Sequence, residues 1–325
     1  MYDKEIKGFE ERRIMKKYKL MTHSDLDGVS CGILAKIAFF DNVDIEYCDY
    51  DNIDEKVVAL TVEDLIKYEK IFITDISMSF RAANIVETGL RMAGIEDKIV
   101  LLDHHKTALE LNCFDWATVV TELNGELVCG TRLFFNYINE YLGVEEDEVS
   151  DWILNFVEMV NRYDTWLWKD KYNDDIPRQL NQLFYLQGRD TFIEEILEKL
   201  EYNSHLLQET DLQLLREEDK RMVDYIDSKK NSVIQAKIQG YSVGVVFADR
   251  YISELGTTLA GRYKDRYDLI AVFHNNKISL RTVKDNVDCS AFAKIYGGGG
   301  HPKASGISLN EDTLQNVITA MFTQK

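Results

Sequence analysis

Leu101-Leu102-Asp103-His104-His105 closes an apolar run with one carboxylate and two adjacent imidazoles, the groups that hold catalytic divalent metals. Two other apolar runs end in a similar way. Tyr18-Lys19-Leu20-Met21-Thr22 leads into His23-Ser24-Asp25-Leu26-Asp27-Gly28, and Lys70-Ile71-Phe72-Ile73-Thr74 leads into Asp75. One such ending is usually a helix cap or a satisfied polar residue, whereas three in one chain point jointly to a metal site. Mixed imidazole and carboxylate donors suit Mn2+ better than Mg2+, which prefers oxygen ligands and retained waters. The expected cofactor is therefore Mn2+, with Mg2+ or Co2+ as substitutes.

These residues need a scaffold that brings strand ends together. Apolar, β-rich segments near 17–23, 44–49, 70–76, 98–103 and 117–121 alternate with helix-compatible stretches at Gly28–Phe40, Asn52–Glu69 and Ser79–Gly94. This is the pattern of a parallel, doubly wound α/β sheet, whose ligands collect outside the carboxyl ends of the strands. His23, Asp75 and Asp103 to His105 would converge there, and Gly28 lets the first loop turn into its helix without a Cβ clash. From 129 to about 200 the pattern is helical, and Tyr163-Asp164-Thr165-Trp166 puts another acid at a helix end after the amphipathic run Asp151–Val160. Three parts are expected: a catalytic domain over 1–200, a helical linker over 201–231 and a smaller α/β domain over 232–325.

The last part holds a second signal. Gly297-Gly298-Gly299-Gly300-His301-Pro302-Lys303 lies between an expected helix at Ser290–Tyr296 and an expected strand at Gly306–Leu309. Glycines let backbone NH groups approach phosphate or sugar oxygens, and His301 and Lys303 add donors at the edge. Arg281, at the end of Lys277-Ile278-Ser279-Leu280, would offer a fork to a phosphate. Arg281, Gly298, Gly299, Gly300, His301 and Lys303 are the candidate substrate-binding residues. Tyr163, Trp166, Trp168, Phe184 and Tyr185 form an aromatic group that would stack a base or fill a core.

Composition limits the partners. A chain of 325 residues exceeds the usual single core. With 56 acidic against 38 basic residues, the net charge is −18, so the surface repels long polyanions, and any phosphate-bearing substrate should be short. Long duplex nucleic acid and membranes are not expected partners. The apolar runs fall short of a membrane span, and the amino terminus has no apolar signal core, so a cytoplasmic location is expected. Five cysteines without a CxxC pair read as buried and reduced.

Together, these residues resemble the DHH/DHHA1 phosphoesterase superfamily. Its first motif matches His23 to Gly28, its second Asp75, its third Asp103-His104-His105 and its fourth Asp164, while the carboxy-terminal signature matches Gly297 to Gly306 with Arg281 in the preceding strand. The openings Thr-His-Ser-Asp-Leu-Asp-Gly-Val and Arg-Tyr-Asp-Thr-Trp look most like the B-type oligoribonucleases (nanoRNases). The resemblance implies a DHH domain and a DHHA1 domain joined by a helical linker. It places His23 and Asp25 on one metal, Asp27, His104 and Asp164 on the other, and Asp75 between them. Many relatives place the first histidine four residues before the first acid, whereas His23 precedes Asp25 by two. Asp103 would orient His104, and His105 would contact the phosphate or protonate the leaving oxygen.

The implied activity is Mn2+-dependent hydrolysis of short oligoribonucleotides or dinucleotides to mononucleotides by a metal-activated water. The oligomer considered is a homodimer. Alternatives are a single-strand DNA exonuclease of the RecJ kind, a linear or cyclic dinucleotide phosphodiesterase and a 3′-phosphoadenosine 5′-phosphate phosphatase. The non-enzymatic alternative is a nucleotide- or RNA-sequestering protein.

Overall fold

The structure is a computed structural model describing residues 16–323. The chain divides into two compact units, one ending at Leu215 and the other beginning at Arg216. In the first, β1 (Tyr18–His23), β2 (Val43–Cys48), β3 (Lys70–Thr74), β4 (Ile99–Asp103) and β5 (Ala117–Val119) form a parallel sheet in the order β2-β1-β3-β4-β5. The centres of β1, β3 and β4 are almost continuously buried, as expected for strands covered on both faces. Strand order reverses direction at β1 and β3, which opens a crevice at their carboxyl ends.

Helix α1 (Leu26–Phe39) follows β1 at once. Asp25 caps it by accepting the Gly28 amide at 3.1 Å. It is buried nearly all round, because its residues are divided between two apolar clusters, one against the sheet and one against later helices. A Cβ on Gly28 would stand 2.2 Å from the His23 carbonyl oxygen, so glycine is required where the chain reverses.

The expected helix over Asn52–Glu69 is two helices, α2 (Ile53–Val58) and α3 (Val62–Lys67). Thr61 and Asp64 form a reciprocal capping box that starts the second helix afresh. Helix α4 (Phe80–Ala93) begins at Ser79, whose amide donates to Asp54, and ends at Gly94 with a left-handed backbone. Before the helical region, β6 (Glu122–Leu123) and β7 (Glu126–Leu127) form a short hairpin. Its turn residues Asn124 and Gly125 both have positive φ, the geometry a two-residue hairpin turn prefers. Helices α5 (Gly130–Leu142), α6 (Asp151–Asp164), α7 (Ile176–Gln187) and α8 (Arg189–Glu201) then complete the first unit's covering layers, with a π-helical turn at Trp168–Tyr172.

Helix α9 (Glu209–Lys229) carries the division between the units inside it. Lys199 and Asp211 form a buried ion pair at 2.7 Å near its start, and the Lys199 ammonium also donates to the Leu206 carbonyl. The second unit is a six-stranded sheet, β12-β13-β11-β10-β9-β8, built from β8 (Ile234–Ile238), β9 (Tyr241–Phe247), β10 (Leu269–His274), β11 (Lys277–Arg281), β12 (Gly299–His301) and β13 (Ala304–Ser308). Only the β9–β10 pairing is parallel. Ile226 of α9 packs with Leu255 and Leu259 of α10 (Ile252–Arg262) on one apolar cluster, while Phe292 of α11 (Cys289–Lys294) packs on another. Helix α12 (Glu311–Thr323) follows β13.

Two expectations change here. The strand after the glycines begins at Ala304 rather than Gly306, and Cys113 is exposed whereas the other four cysteines are buried. None of the described helices is long and apolar enough to cross a membrane.

Candidate active site

The chemistry-bearing residues of the first unit sit at the crevice. His23 ends β1, Asp25 and Asp27 stand at the start of α1, Asp75 follows β3, Asp103 ends β4 just before His104 and His105, and Asp164 ends α6. Asp75 takes a left-handed backbone, φ +56°, and its amide donates to the Leu102 carbonyl at 3.0 Å. A non-glycine residue in that region is a strain that surrounding structure must hold, and such strain clusters at functional sites. Asp27 accepts the first amides of α5, from Gly130 at 2.7 Å and Thr131 at 2.8 Å. Its carboxylate is thereby fixed at a helix N-terminus, where negative charge is favoured.

Two donor sets meet across Asp75. His23 Nδ1 lies 2.9 Å from Asp25 Oδ2 and 3.9 Å from Asp75 Oδ2. His104 Nε2 lies 3.2 Å from Asp75 Oδ1, 3.4 Å from Asp164 Oδ2 and 3.6 Å from Asp27 Oδ2. Thus each oxygen of Asp75 faces a different histidine. His23, two residues before Asp25, still reaches the cluster. Despite these approaches, His23 Nδ1, Asp75 Oδ2 and His104 Nε2 are, among the described residues, buried side-chain atoms that complete no hydrogen bond of good geometry. Buried polar atoms are nearly always satisfied, and these three aim into groups that fit a metal ion: His23, Asp25 and Asp75, and Asp27, His104 and Asp164.

The electrostatics fit a cation as well. Burial, reinforced by the charges of Asp27 and Asp25, holds Asp75 protonated well above the ordinary carboxyl range. Burial and the same two acids push Asp164 up to about 8. Burial holds His104 below the ordinary imidazole value, leaving it neutral with a lone pair to donate. These acids cannot readily all ionise together, and divalent charge among them would remove that conflict.

The Asp103 carboxylate meets the ring of His105 rather than that of His104. Its Oδ1 accepts the backbone amides of His104 at 2.7 Å and His105 at 3.2 Å, and it meets the ring Nδ1 of His105 at 2.7 Å. It therefore supports the ring of His105, whereas His104 receives only a backbone bond. Ser77 donates to the other Asp103 oxygen. Burial alone would raise Asp103, but the bonds from His105 and Ser77 outweigh it and keep this carboxylate below the ordinary range. The same bond to Asp103 raises His105 against the effect of burial.

Sequence reasoning missed several contributors. Gly130 and Thr131 fix Asp27, while Asn161 accepts the Cys129 amide at 2.9 Å just before them. Tyr50 places its hydroxyl 3.2 Å from His105 Nε2. Position after a strand, shared with His23 and Asp75, was the one available signal for Tyr50.

The second candidate set lies in the second unit. Arg281 ends β11 and donates to the Leu280 carbonyl at 2.9 Å and to Ser253 Oγ at 3.0 Å. Lys303 forms an exposed ion pair with Asp285 at 2.8 Å. The expected glycine loop includes an edge strand, since Gly299–His301 pairs antiparallel with Ala304–Gly306. A Cβ on Gly298 would meet the Gly306 carbonyl oxygen at 2.2 Å, and one on Gly300 the Ala304 carbonyl oxygen at 2.8 Å. Close chain approach thus explains these two glycines. In the aromatic group, Phe184 is core, whereas Trp166 and Tyr185 are exposed. Trp166 also has a positive φ just after Asp164.

Comparison with known proteins places these features. Residues 240–324 match the DHHA1 domain. The chain is 33% identical over 311 residues to the oligoribonuclease NrnB of Bacillus subtilis, covering 94% of this chain and 76% of that protein. Its fold is similar to that of the pGpG-specific phosphodiesterase PggH from Vibrio cholerae, with TM-score 0.50, 14% identity and coverage of 95% and 98% of the two chains. It is equally similar to RecJ from Thermus thermophilus in complex with Mn2+, with TM-score 0.50 and 13% identity, over 98% of this chain but 54% of that one. The protein belongs to the DHH/DHHA1 phosphoesterase superfamily, on the side of its oligoribonucleases, and is a hydrolase of phosphoester bonds.

Proposed function

We propose that this hydrolase is a Mn2+-dependent exoribonuclease that degrades short oligoribonucleotides to nucleoside monophosphates in the cytoplasm. The observation that carries the reading is the 33% identity to an oligoribonuclease along 94% of the chain. The net charge of −18, unfavourable to long polyanions, and the five unpaired cysteines, suited to a reducing compartment, are consistent with it.

His23, Asp25 and Asp75 would hold one ion, and Asp75, Asp27, His104 and Asp164 the other. Two bound divalent ions supply Lewis-acid activation of water and neutralise charge on the phosphate. The chain's own groups do the rest. Asp27, tied to the start of α5, fixes its share of the site without adjustment during the reaction. Asp103 holds the Nδ1 proton of His105, which leaves Nε2 to contact the phosphate or to deliver a proton to the departing ribose oxygen. In the second unit, Arg281, Gly298, Gly299, Gly300, His301 and Lys303 bind the phosphate-bearing end. The exposed Lys303–Asp285 pair exchanges readily for a phosphate.

The test is hydrolysis, with added Mn2+, of RNA of two, five and twenty-four nucleotides, single-stranded DNA, cyclic di-AMP and 3′-phosphoadenosine 5′-phosphate. Preference for the two shorter RNAs is expected. Preference for long DNA, for the cyclic dinucleotide or for the bisphosphate would overturn the substrate assignment. Binding of RNA without turnover would point to sequestration.

A further inference from the structure

Tyr50 follows β2 on the loop that reaches α2. Its loop is anchored at the preceding residue: the Asp49 carboxylate accepts from the Ser24 hydroxyl at 2.9 Å, and the Asp49 carbonyl accepts the amides of Asn52 and Ile53, both at 3.1 Å. The residue is 59% exposed even though its loop is tied down. Its ring centroid lies 5.2 Å from that of His23 and 6.0 Å from that of His105, the latter at 88°. Its hydroxyl is 3.2 Å from His105 Nε2, while Asp103 holds the opposite ring nitrogen at 2.7 Å. The imidazole is therefore held at both ends, by a buried carboxylate on Nδ1 and by an exposed phenol on Nε2.

We propose that Tyr50 is a positioning residue for His105. Without substrate, its hydroxyl sets the ring plane and directs Nε2 toward the mouth of the site. When substrate binds, the departing phosphoester oxygen approaches the protonated Nε2 beside the hydroxyl, which stays on the ring edge and keeps the imidazole aimed. The assignment rests on the reading of His105 as the group that faces the phosphate. Tyr50 itself neither ligates metal nor exchanges a proton with substrate. The chemistry requires a polar, uncharged neighbour: a lysine would compete for the metal-site acids, and an aliphatic residue would leave Nε2 undirected.

The test compares Tyr50→Phe and Tyr50→Ala with the unaltered protein in two experiments. The first needs no turnover: nitrogen-15 NMR of the histidine rings in metal-free protein, with His105→Gln identifying the resonance. Tyr50→Phe should shift the His105 Nε2 signal and leave Nδ1, held by Asp103, nearly unchanged. The second measures kcat and KM with Mn2+ on a diribonucleotide and on thymidine 5′-(p-nitrophenyl phosphate). The diribonucleotide leaves as a poor alkoxide, so lost positioning should lower its kcat about tenfold, the scale of one hydrogen bond, with KM changed less than about twofold. The p-nitrophenyl ester needs little help with its leaving group and should lose several-fold less. Tyr50→Ala should match Tyr50→Phe in kcat. An unmoved Nε2 signal, equal losses on both substrates or an effect confined to KM would each overturn the assignment. If the unaltered protein fails to cleave the diribonucleotide, the substrate reading fails, and the NMR comparison still decides the role of Tyr50.

Discussion

Gly130 lies so close to Asp75 that a Cβ on it would stand 2.5 Å from the Asp75 Cβ, and 3.1 Å from Asp27 Oδ2. Two acids from different motifs thus rest against one backbone position. Gly130→Ala should push both out of place. Mn2+ affinity measured by titration calorimetry should fall at least tenfold and kcat about 100-fold, the scale of a small misplacement at a reacting centre. The far-UV circular dichroism should be unchanged. Turnover within twofold of the unaltered protein would show that the contact does not constrain the site.

Asp75→Ala should remove metal binding and turnover together, since each of its oxygens faces a different histidine. Retention of full Mn2+-dependent activity by this variant would rule out a dinuclear site around Asp75.

Asp103→Asn changes the partner of His105 Nδ1 without changing its volume. An amide can present NH2 to that nitrogen, which would favour the wrong tautomer. We expect kcat to fall about 100-fold, the usual scale of a lost general acid, with Mn2+ affinity kept within about threefold because Asp103 grips His105 rather than the ring of His104. A large loss of metal affinity would restore the expected His104 support.

Much of this site is visible in the chain itself, and the reasons are physical. Strand ends in a parallel sheet converge on one edge, so His23, Asp75 and Asp103 to His105 are legible once the apolar runs are recognised. Tyr50 escapes that logic because a tyrosine after a strand is more often packing than chemistry, and its value comes from an imidazole 55 residues away in sequence. Which ring Asp103 meets is not legible in the sequence, because both adjacent histidines are near enough and only rotamers decide between them. The break between α2 and α3 needed the Thr61–Asp64 capping box to be weighed above helical periodicity. The β6–β7 hairpin was announced by Asn124-Gly125 and overlooked because each strand is only two residues long.

Asp164 ties stability to pH. Its pKa rises from 3.8 to about 8 on folding without metal, because of burial and then the nearby acids. The folded chain therefore binds more protons than the unfolded one between those values. The resulting stabilisation is complete below pH 3.8 and is lost as pH rises toward about 8. Asp75 shifts in the same direction. Mn2+ binds the ionised carboxylates, so the rise in Tm on adding it should be larger near pH 8 than near pH 6 in scanning calorimetry. An equal or smaller rise at the higher pH would contradict the assignment of these acids as ligands.

Lys199→Met tests the pair near the start of α9. It would leave Asp211 buried without its cation, and loss of one partner from a buried pair costs about 3–5 kcal/mol. Urea titration should show that loss in the first unit, while Mn2+ affinity of the folded protein stays the same. A loss below 1 kcal/mol, roughly that of a surface pair, would mean that water reaches Asp211.

The bonds from Gly130 and Thr131 to Asp27 also bear on ancestry. This carboxylate caps a helix without any metal bound, so selection for folding alone would preserve it in a lineage that had abandoned catalysis. Asp75, which strains its own backbone and meets its neighbours mainly through the ligand set, has no such second employment. In a divergent relative, loss of the residue at the Asp75 position would therefore mark an inactive protein, whereas survival of the Asp27 position would say little about activity.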